Sequence, residues 1–292
     1  LDIFIIGNYL LIKKQLKIIG IKINIKKISK IKKENFNKKL LIYDVPLKFK
    51  NPFKVGSKAK SEYILKCFKL ATGLAKKKKI SGLINCPINK RETFGNNFIG
   101  ITEFLAKKEK VFGKEAMIIY NKNLSVCPIT THIKVKKVSK QISKKMIINK
   151  LTTINHFFSK KLRHKPKIAL LGLNPHNDEL RKNSEERKII IPVIKKLKRK
   201  NISIYGPLPS DTAFINPKKD KFDIIVGMYH DQVLSPFKAL YKFDAINLTL
   251  GLPYLRVSPD HGVGRDIIRK KIADPKSLLE SIKFFKNINV KA

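Results

Sequence analysis

Cysteine is scarce in this chain. Cys67, Cys86 and Cys127 are the only three among 292 residues, they lie far apart, and no CxxC pair occurs. An odd, scattered set excludes a disulfide framework and fits a reducing, cytoplasmic setting. Long apolar runs are missing too. The longest, such as "IIIPVI", fall far short of a membrane span. The opening "LDIFIIGNYLLIKK" lacks a charged n-region and a small-residue cleavage site, so it does not read as a signal peptide. It begins with Leu1 rather than Met, which reads as a fragment or a partial gene product. Internal repeats, low-complexity linkers and a GxGxxG fingerprint are also absent.

Acidic residues are few: 21 against 64 basic ones, a formal net charge of +43. Such a surplus ordinarily points to nucleic acid. Here Lys greatly outnumbers Arg, and Lys, Ile and Asn are abundant along the whole chain, the pattern of an AT-rich coding bias. Direct base readout favours Arg, so a nucleic-acid partner is not expected. The charge still attracts anionic small molecules, phosphates among them.

What is present is globular. With 43% hydrophobic residues the chain can bury a sizeable core, in two domains as readily as one. Short apolar runs alternate with helical patterns. "LDIFIIG" reads as a strand, "NYLLIKKQLKIIG" as a helix closed by Gly20, and "IKINIKKI" as a strand. "SEYILKCFKLATGLAKKKK" has helical spacing, with Ile64, Leu65, Phe68, Ala71 and Leu74 as its apolar face. "ISGLINCPI", "LSVCPITT", "KIALLGL", "ISIYG" and "DIIVGMY" read as further strands. Ser184 is the expected cap of a helix that Pro192 should kink. The final helix should start at Asp274-Pro275 and bury Leu278, Leu279, Ile282 and Phe285. Near-continuous apolar strands alternating with helices predict an α/β fold with mostly parallel sheets covered on both faces.

Three of the six histidines fall just past strand ends. "LSVCPITT" runs into His132, "KIALLGL" into Asn174-Pro175-His176, and "DIIVGMY" into His230. Ligands of open parallel sheets bind beyond those ends. Singly, each histidine reads as an ordinary loop residue; their shared topological position singles them out. Three imidazoles suit Zn²⁺ or a similar divalent ion, provided the strands are neighbours or two subunits appose. Asp231, beside His230, can serve as a ligand or orient an imidazole. Asp211, in "GPLPSDTAF", marks another strand exit. His156 and His164 read as surface residues. His261, in "SPDHGVG", lies in a turn that either approaches a ligand or is simply a turn. Lys238, Asn247 and Arg256 supply donors for an anion near such a site.

Taken together, "PITTHI", "LLGLNPH", "GPLPSDTAF", "YHDQVLSPFK" and "DAINLTLGLPYLRVSPDHG" resemble the 4-hydroxythreonine-4-phosphate dehydrogenases of pyridoxal phosphate biosynthesis. "NCPINKRETF" and "GITEFLA" fit the same family, and the likeness runs nearly end to end. The resemblance implies two α/β/α domains with an isocitrate/isopropylmalate dehydrogenase-like fold. The first domain is expected over 1–95 plus 265–292, truncated at its N-terminus relative to the family, and the second over 96–264. It further implies a cytoplasmic homodimer with its active site at the interface and no membrane partner. In that site His132, His176 and His230 from both subunits hold one divalent metal (Zn, Mg, Mn or Co). Thr102, Lys238, Asn247 and Arg256 contact a small phosphorylated substrate. NAD(P) is the implied cofactor, with the stretch around His261 as its expected place. Asp211, Asp231 and Lys238 are the candidates for catalytic proton transfer. Ile101 departs from the family pattern: in "GITE" it stands where the family carries a histidine, which leaves a sibling dehydrogenase of another phosphorylated hydroxy acid as the alternative. A basic polyanion-binding protein on a degraded enzyme scaffold is the second alternative.

Overall fold

The computed structural model describes residues 2–31, 39–95, 97–98, 100–216 and 221–290. The chain forms two units. One comprises Leu1–Leu83, Ile88–Ile99 and Gly262–Asp274, the other Ile84–Pro87, Gly100–His261 and Pro275–Ala292. The last stretch differs from the expectation that 265–292 return to the first domain, because the final helix packs on the second unit's sheet.

The first unit holds a three-stranded parallel sheet of β1 (Phe4–Gly7), β2 (Ile25–Ile28) and β3 (Leu40–Asp44), ordered β1-β3-β2. Its central strand buries Leu41 and Ile42 completely. Helix α1 (Tyr9–Ile18) starts where Asn8 accepts the Leu11 N–H at 2.9 Å, and the same side chain donates to the Val45 carbonyl at 3.0 Å. One residue thus caps the helix and ties it to the end of β3. Gly20, at φ +70°, follows the helix end as expected. Helix α2 (Ser57–Lys76) buries Phe68, Thr72 and Ala75, whereas Leu65 faces solvent. Leu65 is on the same face, three and seven residues before Phe68 and Thr72, yet is 38% exposed; Thr72 can be buried because its hydroxyl donates back to the Phe68 carbonyl. A short helix, α3 (Lys90–Phe94), follows.

The larger sheet has eight strands in the order β4-β11-β10-β5-β6-β9-β7-β8. They are β4 (Gly82–Ile84), β5 (Ala116–Tyr120), β6 (Ser125–Thr130), β7 (Ile168–Leu171), β8 (Ile204–Leu208), β9 (Ile224–Tyr229), β10 (Ile246–Leu250) and β11 (Leu255–Pro259). The block β6-β9-β7-β8 is parallel, while β5 pairs antiparallel with β6 and β10, and β10 with β11. The fold is therefore α/β with mostly parallel pairing. The antiparallel strands β5, β10 and β11 were not expected as separate elements.

Helices cover both faces of this sheet. They are α4 (Ile101–Lys108), α5 (Val138–Gln141), α6 (Lys144–Phe157), α7 (Ile191–Lys198), α8 (His230–Tyr241) and α9 (Lys276–Val290). Cys127, Ile129, Ile168, Leu170, Val226 and Met228 pack on one side against α6, α7 and α9. Val126, Ala169, Leu171 and Ile225 pack on the other against Val233 and Phe237 of α8. Alternate residues thus enter two separate cores, so these strands read as continuous apolar runs. Ser184 accepts the Arg187 N–H, and Pro192 sits where a wide π turn, Glu186–Ile190, passes into α7. On α9 the buried face is Ser277, Ser281, Phe284, Phe285 and Ile288, and Leu279 is 48% exposed. Ser277 faces inward because its hydroxyl accepts the Asp260 N–H and donates to the Ala245 carbonyl. Leu151 of α6 is wholly buried in the first of these cores. Leu151→Ala is expected to lower stability by about 2–5 kcal/mol in urea unfolding, through lost burial and the cavity left behind.

Candidate active site

The three histidines singled out in the sequence leave three adjacent parallel strands, β6, β9 and β7, at the same end. Side chains staple these exits together. Thr130 Oγ1 donates to the Met228 carbonyl at 2.7 Å, joining β6 to β9. Gln232 accepts the Met228 N–H at 2.6 Å and donates to the Gly172 carbonyl at 2.7 Å, joining β9 to β7. His132 follows β6 by two residues, and His230 is the first residue of α8. Their rings lie with centroids 5.9 Å apart.

Each ring has a carboxylate on its Nδ1. Glu103 Oε1 lies 3.1 Å from His132 Nδ1 and accepts the Thr131 hydroxyl at 2.7 Å. Asp231 Oδ1 lies 2.6 Å from His230 Nδ1. Burial by itself would raise the Glu103 carboxyl, but the His132 and Thr131 hydrogen bonds outweigh it and hold the group at about 2. The second oxygen, Glu103 Oε2, is buried with no hydrogen-bond partner among the described residues. It rests against Gly100, where a Cβ would overlap Oε2 and meet His132 Cε1 at 3.0 Å. The backbone at Gly100 is extended and admits any residue. Gly100→Ala is therefore expected to leave the melting temperature nearly unchanged and to lower kcat/KM by about 10- to 100-fold through displaced site groups.

His176 stands apart from this pair. It is exposed in the segment Pro175–Leu180, where His176 through Leu180 all have positive φ and no glycine relieves the backbone. Upstream, the wholly buried Glu186 holds the strand exit by accepting the Leu173 and Asn174 N–H groups at 2.7 and 2.8 Å. Among the described residues of one chain, no group of three or more His, Cys, Asp or Glu side chains is placed to hold a metal ion.

Two of the expected anion contacts, Asn247 and Thr102, gather around a third, Arg256, which is only 2% exposed. Its Nε donates to Asn85 Oδ1 at 2.6 Å, and its Nη1 to Asn247 Oδ1 at 3.1 Å and Thr249 Oγ1 at 2.9 Å. The Thr249 hydroxyl is 3.0 Å from the Thr102 hydroxyl. Burial lowers the guanidinium to about 10, which leaves it charged at neutral pH. Among the described residues no carboxylate pairs with it directly. Thr102 and Glu103 are consecutive in the first turn of α4, so that turn touches both the arginine cage and the imidazole pair.

Lys238 is paired with the Asp260 carboxylate, and its ammonium lies 5.2 Å from the centre of the Phe243 ring. Asp211 is exposed in a turn beyond β8, and His261 is exposed as well. Ile101 is buried, 7% exposed. The sequence reading missed Glu103, Thr131, Asn85, Thr249 and Asp260. Only Gly100, just ahead of the acidic first turn of α4, hinted at a close approach there.

This geometry can be set beside known proteins. The family model described as "Pyridoxal phosphate biosynthetic protein PdxA" matches residues 1–285. A 4-hydroxythreonine-4-phosphate dehydrogenase of Sulfurihydrogenibium sp. is 43% identical over 95% of this chain and 86% of its own length. A D-threonate 4-phosphate dehydrogenase of Pectobacterium atrosepticum is 33% identical over 82% of this chain and 75% of its own. The crystal structure of the Klebsiella pneumoniae 4-hydroxythreonine-4-phosphate dehydrogenase superposes with a TM-score of 0.85 at 28% identity, covering 98% of this chain and 89% of that one. Isocitrate dehydrogenase of Methylococcus capsulatus shares the fold alone, with a TM-score of 0.50 at 11% identity. The protein is thus a dehydrogenase on a two-unit α/β scaffold, and no helix among its described residues is long and apolar enough to cross a membrane. Within that class, the chain belongs to the PdxA family of pyridoxal phosphate biosynthetic proteins.

Proposed function

We propose that this protein oxidises 4-phosphohydroxy-L-threonine at its C3 hydroxyl with NAD(P), in a divalent-cation-dependent reaction. The 3-oxo acid then loses CO₂ to give 3-amino-2-oxopropyl phosphate, a step toward pyridoxal 5′-phosphate. The observation that carries this reading is the buried Arg256, which forms no ion pair with a carboxylate among the described residues and is reached through the same helical turn that holds His132. A buried guanidinium bonded only to neutral acceptors retains its charge for an anionic ligand.

The residues suit the implied cation. Imidazole nitrogens are donors that such an ion takes, and the rings of His132 and His230 are neighbours, with centroids 5.9 Å apart. Their Nδ1 atoms face carboxylates, which leaves Nε2 of each for a ligand. We assign the third position to His176 from a second copy of the chain, since its own chain does not bring it to the pair. The active species in this reading is therefore a homodimer. When bound, a divalent ion supplies Lewis-acid polarisation of the hydroxyl and carboxylate, and the nicotinamide accepts the hydride.

The chain's own groups do the rest. Arg256, Asn247 and Thr102 hold and orient the substrate anion, with Lys238 at its edge. Asp231 is tied to His230 through one oxygen, which leaves the other for a proton, whereas Lys238, paired with Asp260, acts as a base only after that pairing opens and it gives up its own proton. Asp211, exposed on its turn, is the remaining candidate.

A second substrate is favoured by one observation. Ile101 presents a buried apolar side chain beside Thr102, and one relative is named a D-threonate 4-phosphate dehydrogenase. That acid carries a hydroxyl in place of the amino group. The test uses cation-free protein with NAD⁺ or NADP⁺ and each acid in turn, adding Zn²⁺, Mg²⁺, Mn²⁺ or Co²⁺ and following reduced nicotinamide by absorbance. Restored turnover with the amino acid phosphate is expected. Turnover of D-threonate 4-phosphate alone selects the second reading, and turnover of neither with any cation overturns both.

A further inference from the structure

We propose that Glu103 is a positioning residue that fixes His132 as its Nδ1–H tautomer, so that the Nε2 lone pair is presented to a divalent cation. The use of that lone pair rests on the function proposed above; the tautomer does not.

The argument starts from what each atom can do. An ionised carboxylate only accepts hydrogen bonds. Glu103 Oε1 receives the Thr131 hydroxyl at 2.7 Å and faces His132 Nδ1 at 3.1 Å. A neutral imidazole carries one N–H and one lone pair. With the lone pair on Nδ1, two acceptors would face each other across that gap. With the proton on Nδ1, the ring donates to Glu103 and the lone pair lies on Nε2. The helical turn of α4 fixes the Cα of Glu103, and its other oxygen occupies the space that a side chain at position 100 would fill.

The second carboxylate–imidazole pair gives an internal comparison. Asp231 also faces a ring Nδ1, but its side chain is 73% exposed, against 21% for Glu103. Water can replace Asp231 as the acceptor of that proton, and it can do so far less readily at Glu103. Glu103 is thus the stricter of the two constraints, although no motif of metal ligands contains it.

The assignment is tested on cation-free protein labelled with ¹⁵N-histidine, using long-range ¹H–¹⁵N spectra at a pH where the rings are neutral. Six histidines keep the spectrum tractable, and the His132 signals are identified by their loss in His132→Asn. Wild-type His132 is expected to show a protonated Nδ1 and an unprotonated Nε2. Glu103→Gln, which keeps the shape but puts an amide where an obligate acceptor stood, is expected to shift the ring toward a mixture of tautomers. In parallel, Zn²⁺ titration without substrate should show affinity lowered by about 10- to 100-fold in Glu103→Gln, partly rescued in Glu103→Asp and less affected in Asp231→Asn. Should Glu103→Gln fail to fold, Gly100→Ala displaces the same carboxylate and is read in the same two ways. A wild-type ring protonated on Nε2, or a tautomer unchanged by both substitutions, overturns the assignment. Wild-type protein that binds no Zn²⁺ or other divalent ion would instead sink the proposed cation dependence, with the tautomer still deciding the role of Glu103.

Discussion

Arg256→Lys is expected to raise KM for the phosphorylated substrate by about 10- to 100-fold, equivalent to losing one charge-assisted contact of roughly 1.5–3 kcal/mol. The positive charge survives the change, so the effect isolates the geometry of the guanidinium. An ammonium cannot reach Asn85 on one side and Asn247 with Thr249 on the other while also offering a planar fork to an anion. The Asn85 oxygen is the acceptor most exposed to this loss, since Nε is its donor. Steady-state kinetics check the prediction, with urea unfolding run alongside. A KM equal to wild type would remove Arg256 from the substrate site.

His132→Ala and His230→Ala are each expected to lower kcat/KM by at least about a thousandfold, well beyond the 10–100-fold typical of losing an outer partner of a metal ligand. Both side chains lie at strand exits outside the main core, so the fold should persist, as circular dichroism will report. Metal content after dialysis against Zn²⁺ should fall from one ion per site to near zero. If either variant retained wild-type turnover and full metal content, the imidazole pair would have no part in the chemistry.

Of the candidate site, the strand exits were legible in the sequence and the groups around them were not. β6, β9 and β7 were visible because strands buried on both faces are apolar throughout, and each ends abruptly at polar residues. Their order in the sheet, which makes His132 and His230 neighbours, was not visible, since strand adjacency has no local signal. Glu103 meets His132 across 29 positions and Asn85 meets Arg256 across 171. Neither pairing leaves a trace in spacing. The helix stripes failed for a different reason. Thr72, Ser277 and Ser281 look polar in sequence but satisfy their hydroxyls on nearby backbone, so they can turn inward, and on the final helix this leaves Leu279 outside.

The adjacency of Thr102 and Glu103 carries a consequence for coupling. Consecutive positions in one helical turn meet Thr249, a partner of Arg256, and the His132 imidazole. A shift or rotation of that single turn would therefore disturb the guanidinium's surroundings and the ring together, and neither could be re-aimed without the other.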